Sequence, residues 1–96
     1  MIEESKLNEY FFSLIISLSA AAMQQMGKIS RPITNGIEKN LEQAKISIDM
    51  LIMIREKTKG NLNLEENKLL DSTISDLQLN YVDESEKLSK PEPKVN

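Results

Sequence analysis

Apolar positions recur along this chain in three blocks, and each block has the period of a helix and not the alternation of a strand. The first, Tyr10 to Met26, runs without a single charge. Wound at 100° per residue, Phe11, Phe12, Leu14, Ile15, Ile16, Leu18, Ala22, Met23 and Met26 spread over roughly 200° of the circumference, about twice the stripe a helix needs on one core surface. One neighbour cannot cover that much. The opposite face carries Ser13, Ser17, Ala20, Ala21 and Gln24. Because Ser13, Ser17 and Ala21 recur at every fourth position, a second helix backbone can approach closely there. The block predicts a helix over about 6–26, capped by Ser5 or Asn8 and stopped at Gly27.

The second block opens at Asn40, with Gln43 three residues on as a capping-box partner, and is expected to run to about Lys59, ahead of Gly60. Glu42, Lys45, Asp49 and Glu56 form a wet strip of about 60°. Most of the remaining circumference is Leu41, Ala44, Ile46, Ile48, Met50, Leu51, Ile52, Met53 and Ile54. The third block, about 64–82, follows another capping-box pattern, Asn63 with Glu66, and has one ordinary stripe of Leu70, Ile74, Leu77 and Tyr81. Only a tight turn fits between Gly60 and Asn63, so the second and third helices are expected to be antiparallel neighbours.

Residues 28–40 contain Pro32 and an Asn35-Gly36 turn signal and predict a loop with a small hairpin, tucked down by Ile29, Ile33 and Ile37. From Asp83 to Asn96 the chain is polar, includes Pro91 and Pro93, and reads as a disordered tail. The expected fold is all-α in a single domain over 1–82: a long helix, a loop and an antiparallel helical hairpin, completed as a bundle by oligomerisation.

Length sharpens that last point. A chain of 96 residues buries only about two-thirds of its unfolded surface, and small domains supplement their cores with disulfides, metals or partner subunits. With no Cys and no His, disulfides are excluded and a metal is poorly supported, which leaves a homo-oligomer, a dimer being the simplest. The candidate interface residues are Phe11, Phe12, Ser13, Ile16, Ser17, Ala20, Ala21, Met23, Met50, Met53 and Ile54. Two methionine pairs, Met23 with Met26 and Met50 with Met53, fit either core gap-filling or a groove for an unidentified protein partner; the broad apolar faces around them favour the core. The lack of Cys is compatible with a reducing cytoplasm, the expected location.

The net charge of −3 is unevenly spread. Residues 28–59 are predominantly basic, whereas Lys68 is the only cation among the acids of residues 60–84, so two neighbouring helices attract each other. That pattern favours internal complementarity over nucleic acid binding, and no nucleic acid partner is expected. Catalysis is not expected either, nor a cofactor: His, Cys and a glycine-rich phosphate loop are all missing. Glu65 and Glu66 suit the positive end of the third helix, and Asp71 and Asp76 lie on different faces of it. The alternative function is a peripheral membrane or membrane-complex subunit using the first helix. Its Leu, Ile and Phe residues contribute about −2 to −4 kcal/mol to insertion, opposed by Gln24, Gln25 and three serines. A signal peptide is not expected, because MIEESKLNEY is acidic where such a segment is basic.

Several local patterns occur together: Phe12-Ser13 ahead of Ser17-Leu18, Leu41-x-x-Ala44-Lys45-x-x-Ile48-Asp49-x-Leu51, Glu56-Lys57-Thr58-Lys59-Gly60-Asn61-Leu62, Leu69-Leu70-Asp71, and Asp76-Leu77-x-Leu79-x-Tyr81-Val82. Over residues 12–82 this resembles a small bacterial family, domain-of-unknown-function 1844. The resemblance implies a bacterial cytoplasmic helical protein and brings no activity, substrate or catalytic residue.

Overall fold

Each apolar block becomes one helix in the computed structural model of the chain, which describes residues 2–28 and 40–89. Helix α1 spans Glu4–Gln25, α2 Leu41–Lys57 and α3 Leu64–Ser89, and all three pack on one another. The fold is all-α, as the periodicity predicts. The expected hairpin at Asn35-Gly36, the anchoring of Ile29, Ile33 and Ile37, and the tail from 90 to 96 lie outside the described residues.

The helix ends follow short-range chemistry. Beyond α1 the Gly27 backbone is left-handed at φ 82°, Lys28 N–H donates to the Met23 carbonyl (2.9 Å) and Gly27 N–H to that of Gln24 (3.0 Å), which satisfies the last carbonyls in a Schellman arrangement. At the start of α2 the Asn40 side chain accepts from the Gln43 N–H at 3.0 Å. The Asn63 pair is reciprocal: Asn63 Oδ1 accepts from Glu66 N–H (2.8 Å) and Glu66 Oε1 from Asn63 N–H (3.0 Å). Between these caps α2 stops at Lys57, two residues early, where the Thr58 hydroxyl donates to the Ile54 carbonyl at 2.7 Å and Gly60 turns the chain at φ 84°.

Two boundaries correct the sequence reading. Helix α1 begins at Glu4, so Ser5 and Asn8 lie inside it and cap nothing; Glu3 holds the cap position without a side-chain bond, and Glu4 faces the positive helix end. Helix α3 does not stop at Val82 but continues to Ser89, so residues 83–89 are helix and not tail. Within the added turns Lys87 pairs with Glu84 and Asp83, and a long-range contact joins them. Lys28, just beyond α1, reaches Glu84 Oε2 at 2.7 Å and Asp83 Oδ2 at 3.0 Å, tying the added turns to the body.

The chain runs up, down and up. Asn40 N–H bonds the Gln25 carbonyl at 2.6 Å, so α2 starts where α1 ends, and Lys28 meets the far end of α3, so α1 and α3 run the same way. Between them lies a core drawn evenly from Ile15, Ala22 and Met26, from Ala44, Ile48 and Leu51, and from Leu70, Ile74 and Leu77. Each fully buried Ile or Leu contributes about 1.5–3 kcal/mol relative to exposure. Ala22 and Ala44 add little area but let α1 and α2 approach. One buried polar group sits in that contact: Ser47, whose hydroxyl lies 2.7 Å from the Gln25 amide. With its NH2 turned toward α2, the amide donates to Ser47 Oγ and, at 3.2 Å each, to the Gln43 and Ala21 carbonyls, which fixes the register of the pair.

Candidate interaction surface

Packing three helices around one core leaves α1 and α2 unfinished. On α2 the inward direction is set by Ala44, Ser47, Ile48 and Leu51. Ile46, Met50 and Met53 fall outside that arc, beyond Ser47, on the side turned toward α1. On α1 the inward direction is set by Ile15 and Ala22, and Leu7, Tyr10 and Leu14 fall outside it, beyond Gln25, on the side turned toward α2. Both rows therefore occupy the face of the α1–α2 pair that points away from α3. Their exposure runs from 43% at Met50 to 57% at Tyr10, too much for core residues and too regular for scattered surface ones. Ser17 and Ala21 lie between the rows, the first exposed and the second half-buried.

The predicted interface residues are placed in four settings. Met50 and Met53 belong to the face just described, as do Ser17 and Ala21. Phe12 and Ile16, both exposed, lie on the opposite edge of α1, beside α3; Ser13 and Ala20 stand on its outer side. Phe11, Met23 and Ile54 are half-buried and pack against the core. The structure therefore brings four of these residues together and separates the rest. Leu7, Tyr10, Leu14 and Ile46 complete the face and were missing from the predicted set. The signal for the three on α1 is the heptad-like spacing of Leu7, Tyr10, Leu14, Ser17, Ala21 and Gln24, which points outward only once Ile15 is known to point inward.

The grooves beside α3 have a different character. One of about 310 Å³ runs between α1 and α3 past Ser19, Met23, Thr73, Asp76, Leu77 and Asn80, and one of about 300 Å³ runs between α2 and α3 past Lys45, Ile48, Asp49, Ile52, Tyr81 and Val82. Neither pairs two carboxylates or offers a nucleophile next to a base. Among the described residues no three Asp or Glu side chains gather as a metal site requires, and no helix is long and apolar enough to cross a membrane.

Charge is concentrated where the helices join. Arg55 of α2 meets Asp71 of α3 at 3.4 Å, the attraction expected from the uneven charge along the chain. The stronger cluster is at Lys28. Glu84, nearly buried, accepts from Lys28 at 2.7 Å and from Lys87 at 2.8 Å, while the exposed Asp83 accepts from the same two at 3.0 and 3.3 Å. The hydrogen bond to Glu84, then that to Asp83, holds both ammonium groups above the usual lysine range. Hydrogen bonds from Lys28 and Lys87 hold the Asp83 carboxyl below its ordinary value.

A family model described as a domain of unknown function, DUF1844, matches residues 9–84, from the residue before the charge-free block to the buried glutamate at the Lys28 cluster. No curated protein and no solved structure matches the chain.

Proposed function

The chain belongs to the DUF1844 family, and we propose that it works as a self-associating, non-enzymatic interaction module in the cytoplasm. The observation that supports this reading is the apolar face of α1 and α2. Six large side chains, each about half exposed, leave an apolar area on the order of 500 Å², at the upper end of what a monomer carries on its largest patch. A second copy covers this face at no cost in new sequence, since a two-fold axis brings the same patch against itself. Light scattering across a concentration series tests it. The mass is expected to rise from one chain toward two by high micromolar concentration without detergent; a constant single-chain mass overturns the reading.

A second reading draws on Leu7, Tyr10 and Leu14, whose exposed row on α1 could rest on a lipid surface or a partner's membrane segment. Flotation with lipid vesicles separates the two. The self-associating module stays at the bottom of the gradient, and a membrane-contacting subunit rises with the vesicles.

A further inference from the structure

The exposed row on α2 is nearly palindromic. Glu42, Ile46, Met50, Met53 and Lys57 succeed one another at spacings of four, four, three and four, so they stand in one line on the helix, all exposed. An acid begins the line, a cation ends it, and three apolar side chains lie between. We propose that this row docks antiparallel on the same row of a second copy of the chain, with the two-fold axis passing beside Met50. The inference rests on the self-association proposed above and names its surface. With the axis there, Met50 meets the Met50 of the second copy, Ile46 meets its Met53, and Glu42 meets its Lys57, the last two pairings occurring twice.

Charge sets the direction. A parallel pairing of the same rows puts Glu42 on Glu42 and Lys57 on Lys57, like charges at both ends, whereas the antiparallel pairing puts opposite charges together at both. The flank that the axis brings against itself carries both signs, since Lys45 accompanies Asp49 and Lys59 pairs with Glu56 at 3.3 Å. Helix α1 leaves room for the same axis. Counting along the antiparallel pair from the Gln25–Ser47 contact places Ala21 level with Met50 and Leu51, so the helices of the two copies would cross over Ala21 and Ser17, where side chains are small.

The absence of cysteine makes a direct test available. Met50→Cys introduces a single thiol at a half-exposed position, and a short bis-maleimide is expected to join two chains through it efficiently. Leu79→Cys, on the outer side of α3, is expected to give little product. Independently, Glu42→Lys or Lys57→Glu alone should weaken dimerisation about tenfold at low salt, because each turns two opposite pairs into like ones, and the double variant should return to within about threefold of the native chain. A native dimer that cross-links as well through Leu79→Cys as through Met50→Cys, or that ignores both single swaps, overturns this surface and leaves self-association standing. A native chain of single-chain mass overturns both.

Discussion

Helices α2 and α3 flank the same core and treat their outer sides in opposite ways. On α3 the stripe of Leu70, Ile74 and Leu77 is buried, Tyr81 is half-buried, and the exposed apolar residues Leu64, Leu79 and Val82 are scattered along 26 residues of helix. On α2 a comparable stripe is buried, yet Ile46, Met50 and Met53 form a second row outside it. A helix that only has to fold needs one stripe. The second row on α2, continued by Leu7, Tyr10 and Leu14 on α1, is surplus to folding the single chain, and that surplus is what the proposed association uses.

The sharpest way to break this comparison is to truncate one residue from each row. Leu51→Ala or Ile74→Ala, inside the core, should destabilise the chain by about 2–5 kcal/mol in chemical denaturation. Met50→Ala, one position away on α2, should cost less than about 1 kcal/mol at a dilution where the chain is monomeric. Equal losses would mean that the outer row also serves the fold.

Next in size is the turn that sets the two helices side by side. Gly60 is left-handed at φ 84°, and a Cβ there would meet nothing within 4 Å, so the cost of a side chain is backbone strain alone. Gly60→Val should lower stability by about 1–2 kcal/mol, and Gly60→Asn by less, since Asn tolerates that conformation. Thermal melts of the two variants check the order. The reciprocal cap is worth a similar amount: Asn63→Ala should cost about 1 kcal/mol, read by denaturation at neutral pH.

The smallest effect concerns the far end of α3. Asp83 titrates below its ordinary 3.8 when folded, so its contribution is present above that value and is lost as pH falls through the folded one. Lys28 and Lys87 titrate above their ordinary 10.5, so theirs is present below it and is lost as pH rises through the folded values. The cluster therefore supports α3 across the middle of the pH range and fades at both extremes. Lys28→Met should lower the melting temperature at pH 7 and bring much less change once the pH has fallen below the depressed titration of Asp83, where that carboxylate no longer pairs. An equal drop at both would assign the role of Lys28 to its aliphatic stem.

What was legible in the sequence follows the reach of each interaction. The caps at Asn40 and Asn63, the left-handed turn at Gly60 and the core stripe of α3 depend on residues within four positions of one another, and all four are in the structure. The end of α3 has a local part, the pairs of Lys87 with Glu84 and Asp83 three and four positions back, and a long-range part, Lys28 meeting Glu84 across more than fifty positions, which no local pattern announces. The exposed apolar face of α1 and α2 is an intermediate case. An apolar excess on the first two helices can be counted from spacing alone, but its side depends on which residues turn inward. Phe12 and Ile16, also exposed, stand at the other edge of α1, while Ile46 and Leu14 belong to this face.

The claim that the outer row of α2 drives association, while the exposed apolar residues of α3 do not, is tested most directly by sedimentation equilibrium of two matched variants. Met50→Glu and Leu79→Glu each place one carboxylate at an exposed apolar position, so folding is nearly unaffected in both. The native chain and Leu79→Glu should show the same concentration-dependent rise toward the mass of two chains, and Met50→Glu should remain at the mass of one. If Met50→Glu associates as the native chain does, or if Leu79→Glu alone abolishes association, the contrast between the two helices is contradicted.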